Sequence, residues 1–295
     1  MSRYHAPSLL TAAAGGKYKV VMPDTETQAA VPAHAVEAVN LVRRFGDFAA
    51  VDHLNLRVGR GQFYGFLGPN GAGKSTTIKV LTGLLAPTEG AARVLGRDVA
   101  REPLEVKRRI GVVPEDLNLF ERLTGAEMLS FTGRMYGLAR EETAERAREL
   151  LGLMELDSDP RKLVVEYSHG MRKKLSLACA LIHRPEVLCL DEPFEGVDAV
   201  ASRTLKELLQ RLTGRGLTVF LTSHVLEIVE RLCTHIGIIS EGRLVTTGAL
   251  DELRRGIEVE GQAAGGGRAL SLEDYFIRVV GGARPAGDDA LAWLR

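Results

Sequence analysis

Nine consecutive residues carry the most chemistry in this chain: Gly68, Pro69, Asn70, Gly71, Ala72, Gly73, Lys74, Ser75 and Thr76. They fit the pattern G-x-x-x-x-G-K-[ST], in which small residues let backbone N–H groups close around phosphate oxygens. In that pattern Lys74 sets a compact positive charge on the β- and γ-phosphates, and the Ser75 hydroxyl ligates Mg²⁺. The flanks suit the chemistry. Phe63 to Leu67 enter the loop as a buried strand does. Ile78, Val80, Leu81 and Leu84 follow at helical spacing, which puts the phosphates at a helix N-terminus. A nucleoside triphosphate site is implied.

Two further clusters bear on the chemistry. Val187 to Leu190 is an apolar run ending in Asp191 and Glu192. An acid at the carboxyl end of a strand can hold Mg²⁺, commonly through water, and its neighbour can polarise the water that attacks a γ-phosphate. Upstream, Tyr167-Ser168-His169-Gly170-Met171 opens an apolar helix, Leu175 to Leu181. Ser168 there is either an ordinary N-cap or a hydroxyl offered to a phosphate, and taken alone the cap is the simpler reading.

The elements that must position these groups follow from periodicity. Val51, Leu54, Leu56 and Val58 nearly alternate and, with Val36 to Val42, suggest an antiparallel β layer ahead of the loop. Arg93 to Leu95 is a short strand after a turn at residues 84–90. Residues 100–165 are charged and helical, with Ala144, Ala147, Leu150 and Leu151 on one face of a helix over Glu141 to Leu156. Strands are expected at Val187 to Leu190, Thr218 to Thr222 and Ile236 to Ile239. A helix carrying Leu205, Leu208, Leu209 and Leu212, closed by Gly214, lies between the first two. Strand–helix–strand alternation means an α/β fold with a mainly parallel sheet. Residues 1–34 have the composition of a flexible tail. Residues 261–267 look like a linker, leading to an amphipathic segment from Leu270 to Val280.

Composition narrows the function. The chain has 295 residues, enough for one large or two small domains, and its 38 basic and 38 acidic residues give a net charge of zero. That balance implies no nucleic-acid or membrane-binding field, so no nucleic acid is expected as a partner. No apolar stretch approaches the roughly 18 residues of a membrane span. Leu9 to Ala14 is too short for a secretion signal, so a cytoplasmic location is expected. Cys179, Cys189 and Cys233 show no metal-ligand or disulfide spacing and are expected as buried free thiols.

In combination these residues resemble one family, the ATPase subunits of ATP-binding cassette (ABC) transporters, over about residues 36 to 255. Gly68 to Thr76 resembles the Walker A loop, and Val187 to Glu192 the Walker B strand with its catalytic glutamate. Ser168-His169-Gly170-Met171 stands at the signature sequence, Glu195-Gly196-Val197-Asp198 at the D-loop, and His224 at the switch histidine. Phe45 lies where the family's adenine-stacking aromatic is found. The resemblance implies a P-loop NTPase core, an antiparallel β layer and an inserted helical subdomain at about 115–165, together forming an ATPase domain over 35–260.

Three departures stand out. The signature has Tyr167, His169 and Met171 where Leu, Gly and Gln are usual, while Ser168 and Gly170 are kept. Glu115 occupies the Q-loop position, which keeps an oxygen facing Mg²⁺ but adds a negative charge, and Phe45 replaces the commoner Tyr.

The family mechanism, carried onto these positions, pairs two cassettes head to tail, as a homodimer where both sets of motifs are complete. ATP lies between Lys74 of one copy and Ser168 and Gly170 of the other, and Asp198 crosses the interface. Glu192 is the base, His224 contacts the γ-phosphate, and Ser75, Glu115 and Asp191 serve Mg²⁺. Residues 110–136 grip separate transmembrane permease subunits at the inner face of the membrane. The signature and the segment Leu272-Glu273-Asp274-Tyr275-Phe276 are similar to the export branch, with an import ATPase the neighbouring alternative. A ribosome- or DNA-acting relative is disfavoured by the single cassette, the absence of sustained heptads and the lack of basic surplus. A GTP switch is disfavoured by the lack of an Asn/Thr-Lys-x-Asp motif.

Overall fold

Continuous apolar runs and alternating ones build two different sheets. The computed structural model describes residues 33–255 and 271–280. The tail expected over 1–34 and the linker from 261 lie almost wholly outside those residues. Strands β1 (His34–Phe45) and β2 (Phe48–Gly59) form a hairpin that β4 (Glu89–Val94) and β5 (Arg97–Asp98) extend, in the antiparallel order β2-β1-β4-β5. In β2 the buried Leu54, Leu56 and Val58 alternate with exposed residues, as a sheet with one wet face requires.

The second sheet contains β3 (Phe63–Leu67), β6 (Ile110–Val113), β7 (Val187–Asp191), β8 (Thr218–Ser223), β9 (His235–Ser240) and β10 (Arg243–Ala249), in the order β10-β9-β3-β8-β7-β6. All pairs are parallel except the edge pair β9 and β10. Every residue of β3, β7 and β8 is buried, because this sheet is covered on both faces. On one side Tyr64, Phe66 and Phe220 meet Leu41, Leu54 and Leu56 of the antiparallel layer and Ile78 of α1 (Lys74–Leu81). On the other, Phe63, Leu188, Leu190 and Leu221 pack under helices. These are α3 (Gly125–Met135), α4 (Arg140–Leu153), α5 (His169–Leu181) and α6 (Ala199–Thr213). The short α2 (Pro103–Lys107) precedes β6, and α7 (Leu226–Leu232) precedes β9.

Local signals set several boundaries. Thr124 and Glu127 form a reciprocal capping box at the start of α3, worth about 1 kcal/mol. Two expectations, Ala144 and Leu84, are corrected. On α4 Ala147, Leu150 and Leu151 face the core as expected, but Ala144 is exposed and the inward residue of the first turn is Thr143, whose hydroxyl donates to the Ala139 carbonyl at 2.7 Å. Gly214 closes α6 as expected, in right-handed conformation, and the left-handed glycine that follows is Gly216, φ +97°. Leu84 lies beyond the end of α1, which Gly83 (φ +68°) terminates, and it faces solvent. The amphipathic segment near the C-terminus is helical over Leu272–Val280, with Leu272 buried against the core.

Candidate active site

The strand order β3-β8-β7-β6 brings four carboxyl ends side by side, and each delivers part of the site. This is where open parallel sheets hold ligands, because the connecting loops splay apart there. β3 leads into the loop of residues 68–73. The Gly68 amide donates to the Ser223 carbonyl at 3.3 Å, and a side chain at Gly68 would place Cβ 2.4 Å from the Ile239 oxygen. Gly73, φ +103°, comes so close to the Ala50 carbonyl that a Cβ would lie 2.3 Å away. Having no side chain, Gly73 leaves the first-turn amides of α1 without a side-chain cap, at the positive end of the helix dipole. The Ala72 amide turns inward to the Pro69 carbonyl at 3.2 Å.

β7 and β8 place the acids. Asp191 is buried, and its Oδ1 accepts from Thr222 Oγ1 at 2.6 Å and from Ser75 Oγ at 3.2 Å. The Thr222 hydroxyl also accepts from the Glu192 amide at 3.1 Å, so one β8 side chain registers both acids. Glu192 has φ +45°, a left-handed conformation that costs a side-chain-bearing residue about 1–3 kcal/mol. The resulting turn aims its carboxylate back over the loop. Oε1 lies 3.4 Å from Lys74 Nζ and 3.2 Å from His224 Nδ1, yet makes no hydrogen bond of good geometry to either. Lys74 Nζ donates to the carbonyls of Gly68 at 2.8 Å and Pro69 at 3.2 Å.

These groups border a cleft of about 400 Å³ lined by Phe45, Phe48, Asn70, Gly71, Gly73, Lys74, Ser75, Thr76, Glu115 and Glu192. Phe45 and Phe48 are cross-strand partners at the β1–β2 hairpin tip, half-exposed and exposed respectively, with the Arg43 guanidinium 4.6 Å from the Phe45 ring centre. A larger hollow of about 640 Å³ lies at the amino ends of β7 and β8, lined by leucines such as Leu150, Leu208 and Leu212. It has no phosphate-binding loop, so chemistry rather than size selects the smaller cleft.

The donor set suits Mg²⁺. Among the described residues no three or more His, Cys, Asp or Glu side chains form a ready-made metal cluster. The Ser75 hydroxyl and the Asp191 carboxylate are adjacent hard oxygens, the sparse protein share expected where phosphates complete the coordination.

Ser168, Gly170 and Asp198 do not line this cleft; they lie elsewhere, at the starts of two helices. Ser168 caps α5, accepting from the Met171 amide at 3.2 Å. Asp198 caps α6, accepting from the Ala201 and Val200 amides at 2.9 and 3.0 Å, and those bonds hold its carboxyl below the usual range. A Cβ on Gly170 would stand 3.1 Å from Asp198 Oδ2, so these two helix starts are packed on one another. Three functional candidates escaped sequence reasoning. Phe48 had a signal, since Phe45-Gly46-Asp47-Phe48 has the spacing of a hairpin tip. Thr222 and Lys173 had none, because their roles depend on partners far away in the chain.

A phosphate-binding loop, a buried pair of consecutive acids at the end of the neighbouring-but-one strand β7 and a histidine beside the second acid define a nucleoside-triphosphate-hydrolysing cassette. The family model for ABC transporters matches residues 51–195. The bacitracin transport ATP-binding protein BcrA of Bacillus licheniformis is 37% identical over 75% of this chain and 71% of its own length. The daunorubicin resistance ATP-binding protein DrrA3 of Streptomyces coeruleorubidus is 43% identical over 72% of this chain and 67% of its own. Among solved structures, a dimeric ATP-binding cassette in a post-hydrolysis state, bound to ADP and Pi, superposes with a TM-score of 0.67. It is 25% identical and matches 73% of this chain and 98% of its own. This chain belongs to the ABC transporter ATP-binding family and is an ATPase subunit.

Proposed function

We propose that this chain powers export by separate permease subunits, hydrolysing ATP in a head-to-tail pair with a second copy. The observation that carries the reading is that Lys74 and His224 both approach Glu192 beside a cleft lined by Lys74, Ser75 and Glu192, with Asp191 bonded to Ser75 behind it. Ser168, Gly170 and Asp198 lie outside that cleft, as groups meant for the other copy's nucleotide should.

Within one site the adenine stacks at the hairpin tip on Phe45. Lys74 and the loop amides hold the β- and γ-phosphates. Ser75 and Asp191, with Glu115 at the rim, would hold Mg²⁺, which neutralises charge between the phosphates. Glu192 accepts a proton from the water whose oxygen attacks the γ-phosphorus, while His224 orients that water. The bond from phosphorus to the bridging oxygen breaks, leaving ADP and phosphate. Catalysis here is positioning and electrostatics rather than covalent chemistry. Loss of the γ-phosphate removes the ligand shared across the pair and releases it.

The permease contact is supported by exposed hydrophobics on and around α3. Phe120, Phe131, Met135 and Tyr136 face solvent, with Phe120 edge-on to Phe131 at 5.1 Å. Such a cluster is a protein-contact surface. No helix among the described residues is long and apolar enough to cross a membrane. In this reading the chain acts at the inner face of the membrane through a partner. Export is favoured by the relatives, one named for bacitracin transport and one for daunorubicin resistance. Purification from native membranes in mild detergent tests the reading. A co-purifying polytopic membrane protein that raises ATPase activity is expected, whereas a ribosome or no partner would remove the transport assignment.

A further inference from the structure

Lys173 is 2% exposed, on α5, five residues after Ser168. A buried ammonium is costly unless its protons are used, so its partners define its task. Nζ donates to the Glu192 carbonyl at 3.2 Å and to the Glu115 carbonyl at 3.3 Å. Burial lowers its pKa, and the surrounding carboxylates of Glu195, Glu115, Asp191 and Glu192 oppose that shift. It makes no ion pair within 4 Å among the described residues, so its hydrogen bonds go to main-chain oxygens on two separate loops.

One of those oxygens belongs to the strained residue. The Glu192 peptide is left-handed and must be held there: its N–H donates to Thr222, and its carbonyl accepts from Lys173 and, at 3.3 Å, from the Glu195 amide. Relaxation to a right-handed conformation would break these bonds and turn the carboxylate away from Lys74 and His224. His169 Nε2 meets the Glu195 carbonyl at 3.2 Å, so the first turns of α5 hold this loop at a second point.

We infer that Lys173 is a positioning residue for hydrolysis, its ammonium tying the Glu192 peptide to the Glu115 peptide. The catalytic carboxylate is then aimed only while the loops after β6 and β7 are both docked on α5. Because α5 begins at Ser168, movement of the helix start reaches Glu192 through a single side chain. This rests on the reading of Glu192 as the base.

The test uses the full chain with Lys173→Gln, Lys173→Arg, Glu192→Gln and the Lys173→Gln/Glu192→Gln double variant. ATP affinity, unfolding midpoint and single-turnover hydrolysis are measured for each. Lys173→Gln is expected to leave ATP affinity within about twofold and to lower kcat at least about tenfold, a split that a general loss of structure does not produce. Lys173→Arg should recover part of the rate, since a guanidinium still donates to two carbonyls. With Glu192 already replaced, Lys173→Gln should add little further loss, because the group it positions is gone. An unchanged kcat, or the same fold-loss in both backgrounds, overturns the inference. Should the Gln variant not fold, Lys173→Arg with and without Glu192→Gln carries the same comparison. A near wild-type rate in Glu192→Gln alone would instead overturn the assignment of the base, and this inference with it.

Discussion

The Lys74 ammonium stands 3.4 Å from Glu192 Oε1, with both side chains more than nine-tenths buried, so the lysine proposed to bind phosphate is also the counter-ion of the proposed base. Removing one partner of a buried pair strands the other charge. Lys74→Ala is therefore expected to lose ATP binding and to destabilise the nucleotide-free protein by about 3 kcal/mol. Lys74→Ala/Glu192→Gln should recover much of that stability without recovering ATP binding. Denaturant unfolding read beside ATP titration separates the two effects.

Glu192→Gln keeps the side-chain shape and removes the proposed base. ATP affinity should hold while kcat falls by a factor of about 100 or more, and an ATP-bound dimer should accumulate. Size-exclusion chromatography with ATP checks this; a monomer throughout would argue against ATP as the glue.

A methyl group at Gly170 is a tight fit, because its carbon would stand 3.1 Å from Asp198 Oδ2 and 3.3 Å from the Ala201 Cβ, so the start of α6 must give way by a few tenths of an ångström. Gly170→Ala should leave ATP binding to the single copy intact and lower dimer-dependent hydrolysis at least about tenfold. Equal loss of ATP binding would place Gly170 in the wrong role.

Phe45→Ala should weaken ATP binding by about 1 kcal/mol, roughly fivefold, through lost stacking. The effect of Phe48→Ala should be smaller. A fluorescent ATP analogue reports both, and no change in either variant would move the adenine away from the hairpin tip.

Glu115 is exposed at the rim, and its observed hydrogen bond is made by its carbonyl rather than its carboxylate. Glu115→Gln is expected to bind Mg²⁺-ATP within about twofold of wild type. Loss of binding would make the carboxylate a required metal ligand.

The phosphate-binding loop was legible because its chemistry is local: small residues, a lysine and a hydroxyl must follow one another to wrap a triphosphate. The strand ending in Asp191 and Glu192 was legible for a similar reason, an apolar run that stops at two acids. Even Ser168 announced itself as a cap. What the amino-acid order by itself determined was therefore the class of chemistry and the α/β alternation that presents it. Only the tertiary structure decided how the pieces meet. Thr222 lies 31 residues from the Asp191 it holds and Lys173 lies 58 from the Glu115 carbonyl it binds. A threonine in a strand and a lysine in a helix look like ordinary residues in sequence. Their roles arise when strand order sets β8 between β3 and β7 and burial strips away the water that would otherwise satisfy them.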